Sequence, residues 1–411
     1  MIEFNNKKLE KEVEDTANYI VNLVNSNLEK GECLLGGSVA KGTYLYNNID
    51  FDLFVRFKKE EDIPHLLETL KKTFPDKNIK TVHGTRDYYH IKYDDYTLEF
   101  VPTLYFENPD DCENSIDVSI FHVEWFLKNK KKIPNLSNEV RKAKLFFKAN
   151  YLYGAESYIK GFSGHVIDIL IIFYGSFNNL INNACNWSEK EIIDVENYYS
   201  NKEDIFDTLS DAKVYSPLIV IDPILETRNA SAALSKSNFN KFINLSKRYI
   251  KNPSKDFFEK KEIDIENIDK FNTIILEFEW LDEMNDVAGS KVKKVIDMIK
   301  HKLKRKKYFI EDSFWNYNNL CWIKLKEYDD DYILRGPPLR LKENVLKFKE
   351  KHKVDTFFEK DKRIYANIKR KLSPVDIILK RKNFIKNRVK SLKIHYFKNN
   401  KLINEEKIDG M

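Results

Sequence analysis

Two neighbouring segments constrain the fold of this chain more than any other feature: 34–43 reads LLGGSVAKGT and 49–54 reads IDFDLF. The first segment predicts an apolar strand that ends in a Gly-Gly-Ser turn at the start of a short helix. Free backbone N–H groups at a helix start, together with a serine hydroxyl, can hold a triphosphate. The second segment predicts a further strand of the same domain.

That second strand carries two acidic residues on one face. Residues i and i+2 of a strand point the same way, so Asp50 and Asp52 converge while Phe51 and Leu53 turn into the core. Two carboxylates at one edge suit Mg²⁺, which binds one or two carboxylates together with substrate phosphates. Gly-Gly turns and acidic pairs are each common alone, but their order and spacing here indicate nucleotidyl transfer.

A third carboxylate is expected, because a two-metal site needs a ligand from a further strand. The segment 96–102, YTLEFVP, is aromatic and β-branched and places Glu99 among apolar neighbours. We take Glu99 as the third ligand, and the alternative is a solvated glutamate on a strand. Asp94 and Asp95 precede it in a pattern typical of a hairpin turn.

The composition indicates a folded protein of two or three domains, since the chain has 411 residues of which 42% are hydrophobic. Its longest apolar run, 166–174, contains an aspartate and is too short to cross a membrane, so we expect a buried helix there. The cysteines are dispersed without a Cys-x-x-Cys pair, which argues against a zinc site or a disulfide framework. With an amino terminus that lacks a signal peptide, this predicts a cytoplasmic protein without membrane association.

A net charge of +6 does not by itself indicate nucleic acid, but the segment 289–307, GSKVKKVIDMIKHKLKRKK, holds nine Lys/Arg and one Asp. Its apolar residues recur at helical spacing, so one face packs and the other is basic. Such a face can neutralise RNA phosphates, although a merely solvated helix is the alternative. A membrane-surface helix would carry Trp or Phe on its apolar face, and this one does not. The residues that we assign to RNA binding are Lys293, Lys300, Lys304 and Arg305.

The sequence divides into a mixed head, a helical middle and a mixed carboxy-terminal part, at 1–114, 115–253 and 254–411. In the head, we predict helices over about 6–28 and 63–73 and strands at 33–35, 51–57, 88–93 and 97–101. In the middle, the apolar spacing predicts helices over 138–151, 162–184, 188–199 and 238–249. After Asn-Pro-Ser at 252–254, we expect strands at 272–281, 319–326 and 392–397, followed by a polar, frayed end.

With these residues in view, the chain resembles the archaeal-type, class I CCA-adding enzymes, the tRNA nucleotidyltransferases that build the 3′ CCA end. In the head, 37–43 resembles the family's Gly-Ser motif, and Asp50, Asp52 and Glu99 fall on its metal ligands. Most members carry aspartate at the third position, so Glu99 lengthens that ligand by one methylene. More discriminating matches lie in the helical region, because many nucleotidyltransferases share the head alone. They are Phe-His at 121–122, Trp125, Lys144, Ala-Asn at 149–150, YGAE at 153–156, GFSG at 161–164, FYGSF at 173–177, Asn-Ala at 183–184, Trp187, Ile-Asp-Pro at 221–223 and Arg-Asn-Ala at 228–230. Beyond residue 250 the resemblance weakens, and RGPP at 335–338 is its clearest trace.

The resemblance implies an α+β protein with a polymerase-β-like nucleotidyltransferase head, a helical central domain and an α+β RNA-binding carboxy-terminal region. It implies two Mg²⁺ ions, with Mn²⁺ as an alternative, held by Asp50, Asp52 and Glu99. The nucleotide-binding residues that it implies are Gly37, Ser38, Lys41, His122, Lys144, Tyr153 and Arg228. His90 is a weaker candidate outside this set. The implied partners are tRNA, ATP and CTP, and a homodimer is one assembly that it allows.

Several of these residues have a purely structural alternative. Without the resemblance, Lys144 would belong to a solvated helix face, and Tyr153 and His122 would be packing residues. Arg228 is expected to read the base, because its planar guanidinium fits the acceptor edges of cytosine and adenine. Its alternative is an ion pair with Glu226 or Asp222.

The function that these residues predict is template-independent addition of C, C and A to tRNA, by attack of the 3′-hydroxyl on an α-phosphate with pyrophosphate leaving. Two other functions stay open. One is a sister enzyme on the same scaffold that adds only CC, only A, or a poly(A) or oligo(U) tail. The other is a non-catalytic RNA-binding protein, which the intact Ser38, Asp50, Asp52 and Lys144 oppose.

Overall fold

The computed structural model describes residues 4, 6–47, 49–260, 262–328, 331–352, 356–369 and 372–410. The chain forms two compact units, Met1–Lys261 and Glu262–Met411. Each unit contains both helices and strands, which confirms the predicted α+β class. The finer division of the chain at residues 114 and 253 stays a prediction.

A five-stranded sheet forms the framework of the head. Its strands, from one edge to the other, are β1 (Glu32–Leu35), β2 (Asp50–Phe57), β5 (Tyr96–Leu104), β4 (Tyr88–Tyr93) and β3 (Ile79–Val82). The pair β2 and β5 is parallel, and the other neighbouring pairs are antiparallel. Parallel neighbours need a crossover connection, and here it contains a helix and the hairpin of β3 and β4. The crossover therefore brings the predicted acidic strand beside the strand of Glu99.

Three helices accompany this sheet: α1 (Lys7–Asn27), α2 (Gly37–Lys41) and α3 (His65–Thr73). Residues Val13, Ala17, Ile20 and Val24 form the buried stripe of α1, at the spacing that an amphipathic helix requires. The predicted helices and strands of the head are confirmed within a few residues at their ends. Strand β3 is missing from the sequence prediction, because its four residues, IKTV, do not alternate between apolar and polar.

The helical part of the first unit follows the sheet. Its helices are α4 (Ser119–Lys130), α5 (Leu136–Ala149), α6 (Gly164–Tyr174), α7 (Phe177–Ala184), α8 (Lys202–Thr208), α9 (Asp211–Val214) and α10 (Lys236–Lys251). Two short strands, β6 (Glu191–Ile193) and β7 (Leu218–Val220), pair in parallel. Fully buried phenylalanines fill the core of this part, among them Phe146, Phe147, Phe162, Phe177 and Phe242.

Two helix predictions in this part are wrong. The predicted helix over 162–184 is two helices bent by 92°, because Gly175 takes a left-handed conformation with φ 77° and Ser176 caps α7. The predicted helix over 188–199 is instead the short strand β6 and irregular backbone, in which two isoleucines favour pairing with β7.

Among the described residues, no single helix is long and apolar enough to cross a membrane. Helices α6 and α7 pass that test only as a bent pair, by length and composition. Most residues of α6 are buried in the core of the first unit, as the sequence predicted for the run 166–174.

The second unit contains two antiparallel sheets. The larger has the order β15 (Lys401–Asp409), β14 (Ser391–Lys398), β8 (Thr273–Glu279), β10 (Leu320–Leu325) and β9 (Ile310–Trp315). The smaller has the order β11 (Asp331–Pro338), β13 (Arg363–Lys369) and β12 (Thr356–Lys360). Helices of this unit are α11 (Asn285–Arg305), α12 (Lys342–Lys351), α13 (Pro374–Leu379) and α14 (Lys382–Lys386). The expected frayed end is wrong, because β15 pairs with β14 along most of its length.

Candidate active site

The Gly-Gly-Ser turn is shaped by its contact with Asp52. Gly37 begins α2 with φ 55°, and a Cβ atom there would lie 1.5 Å from Oδ2 of Asp52. A Cβ atom on Gly36 would lie 2.1 Å from the ring of Phe54. Both positions therefore require glycine. The backbone N–H of Ser38 donates to the Asp52 carboxylate, so the start of α2 already faces a negative group.

The three predicted carboxylates come together on β2 and β5. Asp52 and Glu99 are register partners on these parallel strands, and Asp50 lies two residues before Asp52 on the same face. Phe51 and Leu53 are fully buried on the opposite face, as predicted. Burial, followed by the charges of Glu99 and Asp50, raises the pKa of Asp52 to about 6. This group of acids therefore has an excess of negative charge.

Glu99 also has a partner on its other side. His90 is its register partner on β4, and His90 Nε2 lies 2.7 Å from Glu99 Oε2. Glu99 is therefore held by a histidine and is not a freely solvated glutamate. His90, the weaker candidate of the sequence, contacts the third carboxylate directly.

The predicted phosphate-binding residues gather beside these acids. Lys41 Nζ lies 2.6 Å from Oδ2 of the buried Asp168. Lys144 is 5% exposed, and its Nζ donates to Thr43 Oγ1 (2.9 Å) and Thr43 O (3.1 Å), so it does not belong to a solvated helix face. Burial lowers the pKa of Lys144 to about 8, against the opposing charge of Asp168.

Tyr153 lies beside the same groups. Burial raises the pKa of Tyr153 to about 12, and the charge of Asp168 adds to the effect. A Cβ atom on Gly164 would lie 3.0 Å from the Tyr153 hydroxyl, so glycine at this position lets α6 approach this oxygen closely. Ser38, Lys41, Lys144 and Tyr153 thus stand around one region that combines cationic and hydroxyl groups.

His122 and Arg228 meet at a different carboxylate, that of Asp222. Asp222 Oδ1 lies 2.9 Å from His122 Nε2, and Asp222 Oδ2 lies 2.7 Å from Arg228 Nη1 and 3.2 Å from His165 Nε2. The ion pair that the sequence allowed for Arg228 therefore forms, with Asp222. We call His122, His165, Asp222 and Arg228 the Asp222 cluster.

Three members of the Asp222 cluster also have the donor types of a metal site. The ligand atoms of His122, His165 and Asp222 all lie within 4.8 Å of one another. The guanidinium of Arg228 already occupies Asp222 Oδ2 with a positive charge, and a metal ion would have to displace it. The hydrogen-bonded arrangement accounts for these atoms without a metal.

Sequence reasoning missed three residues that the structure adds to this region. Asp168 and His165 lie on α6, and Lys148 lies on α5, one turn after Lys144. Lys148 Nζ lies 5.0 Å from the centre of the Tyr153 ring. Burial lowers the pKa of Lys148, while the negative charge of Asp50 opposes this, so its ammonium faces the acids. The i, i+4 spacing from Lys144 was the one local signal that could have indicated Lys148.

The RNA-binding residues predicted on α11 belong to the second unit. Val292, Val295, Ile296, Ile299 and Leu303 form its buried face, as predicted. Lys304 and Arg305 are exposed, Lys300 is half-buried, and Lys293 pairs with Asp297 at 2.6 Å. One face of α11 is therefore basic, as predicted, and Lys293 is paired with an acid of the same helix.

Family profiles cover most of the first unit. The profile described as nucleotidyltransferase domain matches residues 17–145. The profile described as tRNA nucleotidyltransferase, second domain, matches residues 138–259. The acids and the glycine turn fall in the first match, and the Asp222 cluster, apart from His122, falls in the second.

Curated proteins similar to this chain are named CCA-adding enzyme. The protein of Nanoarchaeum equitans is 33% identical over 87% of this chain and 89% of its own length. The protein of Sulfurisphaera tokodaii is 30% identical over 91% of this chain and 89% of its own length. The protein of Methanocaldococcus jannaschii is 29% identical over 84% of this chain and 79% of its own length.

Proposed function

The chain belongs to the CCA-adding enzymes, the tRNA nucleotidyltransferases that add C, C and A to the 3′ end of tRNA without a template, and we propose that Asp50, Asp52 and Glu99 hold the metal ions of this reaction. The observation that carries the assignment is the register of Asp52 with Glu99 on neighbouring parallel strands. Among the described residues, no positively charged side chain forms a hydrogen bond with Asp52.

The acids fit two Mg²⁺ ions, and Mn²⁺ as a substitute. Oxygen donors are the ligands that these hard cations prefer. The raised pKa of Asp52 indicates that burial and its acidic neighbours disfavour its charged form, which a cation would favour. Bound there, the ions would lower the pKa of the attacking hydroxyl and offset charge on the leaving group. The hydrogen bond from His90 holds the orientation of the longer Glu99 side chain.

Residues of the chain hold the triphosphate in line for the transfer. An ammonium carries three N–H donors. Lys41 uses one on Asp168 and Lys144 uses two on Thr43, so both retain donors for phosphate oxygens. The hydroxyls of Ser38 and Tyr153 add neutral donors. The tRNA 3′-oxygen then bonds to the α-phosphorus, the bond to the β-phosphate bridging oxygen breaks, pyrophosphate leaves and the hydroxyl proton passes to water.

The Asp222 cluster is assigned to the nucleoside. Arg228 is 38% exposed at its side chain, so part of its guanidinium remains accessible beyond the ion pair. Its N–H groups match N3 of cytosine and N1 of adenine, which are acceptors, whereas uracil and guanine carry N–H groups at these positions. We assign His122 to the same nucleotide subsite.

The basic face of α11 is assigned to tRNA phosphates, through Lys293, Lys300, Lys304 and Arg305. Exposed lysine and arginine residues on one helix face give sequence-independent, salt-sensitive binding of this kind. We also propose a cytoplasmic location, which fits the four free cysteines. The homodimer stays a prediction from the resemblance.

The experiment that tests the function is single-nucleotide extension of tRNA transcripts that end before CCA, after C and after CC. Each is incubated with Mg²⁺ and with CTP, ATP or both. With both nucleotides present, we expect addition that completes CCA on each transcript and then stops. Addition of CC alone, of A alone or of an unbounded tail would move this chain to a sister activity, and binding without extension would contradict catalysis.

A further inference from the structure

The carboxylate of Asp222 accepts more hydrogen bonds than a simple ion pair with Arg228 would need. Its side chain is fully buried. Oδ1 accepts from His122 and from the backbone N–H groups of Ile224 (3.0 Å) and Leu225 (3.2 Å), and Oδ2 accepts from His165 and Arg228. Both oxygens are therefore fixed, and the carboxylate cannot rotate without breaking several bonds at once.

The charge state of the cluster follows from these bonds. Burial alone would raise the pKa of Asp222, but hydrogen bonds from His122 and His165 outweigh it and hold the pKa well below its usual range. Burial lowers the pKa of His122 to about 4, so at neutral pH this ring is neutral and donates Nε2–H. Arg228 stays protonated at neutral pH and places a positive charge beside the ionised Asp222.

His165 belongs to the same unit, although it lies on α6 and no sequence motif marked it as a site residue. Its ring centre is 4.0 Å from that of His122, and both rings donate to the one carboxylate. Removing His165 would leave Oδ2 with Arg228 and with a 3.1 Å contact to His122 Nε2, and it would free the His122 ring on one side. His165 thus completes the support of both neighbours.

We propose that Asp222, with His165, is a positioning group that fixes the guanidinium of Arg228 in one orientation and thereby sets the discrimination of CTP and ATP against UTP and GTP. The inference rests on the proposed role of Arg228 as base reader. A fixed donor meets an acceptor on cytosine and adenine but an N–H group on uracil and guanine, and an unmatched buried donor is strongly disfavoured. A mobile guanidinium could turn away and accept the wrong base.

The test measures kcat/KM for CTP against UTP, and for ATP against GTP, on tRNA transcripts that end before CCA and after CC. In Asp222→Asn, the amide would present N–H groups to Arg228 or His165, so the guanidinium loses its anchor. We expect both preference ratios to fall by about tenfold or more. Unchanged ratios in folded Asp222→Asn protein would overturn the proposal.

A pair of variants at His165 covers the case in which Asp222→Asn does not fold. Glutamine can place an N–H group near the position of Nε2, whereas leucine cannot donate. We expect His165→Leu to lower the preference ratios and His165→Gln to restore them in part. Equal ratios in wild type, His165→Leu and His165→Gln would contradict the role of His165.

A matched control is the ion pair of the buried Asp117 with the half-buried Arg86 in the same unit, in which Asp117 Oδ1 lies 2.6 Å from Arg86 Nη1. Asp117→Asn should lower the melting temperature without changing either preference ratio, and a change as large as that of Asp222→Asn would overturn the proposal. The variant Arg228→Lys tests the role of Arg228 as base reader separately from the role of Asp222 as its positioning group. If it leaves the ratios unchanged, the proposed base reader is wrong; if it lowers them while Asp222→Asn does not, only the positioning role fails.

Zinc content provides a last control on the same proteins. One zinc ion per chain by atomic emission, lost in His165→Leu, would show that the cluster is a metal site and would overturn the positioning role. We expect no stoichiometric zinc.

Discussion

Two carboxylates of the first unit, the half-buried Asp52 and the fully buried Asp222, have opposite surroundings. Asp52 accepts a backbone N–H from Ser38 but lies beside Glu99 and Asp50, and its pKa is raised to about 6 by burial and by these neighbours. Asp222 accepts from two histidines, an arginine and two backbone N–H groups, and its pKa is held well below the usual range despite burial. Among the described residues, no cationic side chain is hydrogen-bonded to Asp52, whereas Arg228 forms an ion pair with Asp222.

This difference separates two kinds of function. A group of acids that repel one another in the folded protein is stabilised by a cation from solution, and so it is suited to bind metal. A carboxylate that is saturated by N–H donors has no free lone pair directed at a ligand, and so it is suited to hold other side chains in place. The predictions below test that separation.

The largest expected effect is on catalysis at the first site. Asp52→Asn should lower single-turnover nucleotide addition by roughly a thousand-fold, because a shared metal ligand contributes several kcal/mol to the transition state. Rapid-quench measurement with saturating CTP would show it. Asp62→Asn is a matched control, since Asp62 is a buried acid of the same head that pairs with Lys30, and its activity should stay within a few-fold of wild type.

Stability should change in opposite directions at the two sites. The folded pKa of Asp52, about 6, is above its ordinary value of 3.8, so ionisation costs stability between these pH values and the cost is complete above pH 6. Asp52→Asn should therefore raise the free energy of unfolding at pH 7.5 by about 1–3 kcal/mol in EDTA. Asp222→Asn should lower it by roughly 3 kcal/mol, because it breaks a buried charged network.

Urea titration of both variants measures this contrast. The gain in Asp52→Asn should disappear near pH 4, where the wild-type Asp52 is protonated in the folded state. Destabilisation of equal size in both variants would remove the distinction between the two sites.

The cations beside the two carboxylates should also differ in their response to pH. Burial lowers the pKa of Lys144 to about 8, so kcat/KM for ATP should fall about tenfold per pH unit above that value as the free enzyme loses this charge. Arginine stays charged in this range. Lys144→Arg should therefore flatten the profile, and the preference for ATP over GTP, which we assign to Arg228, should not vary between pH 7 and 9.

The smallest effect is expected in the second unit. Replacing Lys304 and Arg305 by glutamine should raise KM for tRNA a few-fold and reduce the slope of log KM against log salt by about one to two units. Nucleotide preference should not change. The same replacement of the exposed Lys8 and Lys11 on α1 is the charge-matched control, and an equal effect there would mean that α11 has no special role.

Sequence reasoning reached the first site because its signals are local. The glycine turn and the two aspartates lie within sixteen positions, and strand alternation alone places the aspartates on one face. The Asp222 cluster could not be assembled in this way. Asp222 meets His122 across 100 positions and His165 across 57, so only tertiary packing brings them together.

The wrong prediction of one continuous helix over α6 and α7 and the missed burial of Lys144 have a similar cause. The apolar run from α6 into α7 is helical by composition, and one glycine with a left-handed backbone decides the break. The residues on either side of Lys144 on α5 are apolar, but they do not reveal which group its ammonium meets. Its position is fixed by Thr43, on a loop that is 101 residues earlier in the chain.

The most direct test of the separation is a titration of Mn²⁺ into wild type, Asp52→Asn and Asp222→Asn, with free Mn²⁺ measured by electron paramagnetic resonance. We predict that wild type and Asp222→Asn bind Mn²⁺ alike and that Asp52→Asn binds far more weakly. Binding that survives in Asp52→Asn and is lost in Asp222→Asn would place the metal at the Asp222 cluster and contradict this account of the active site.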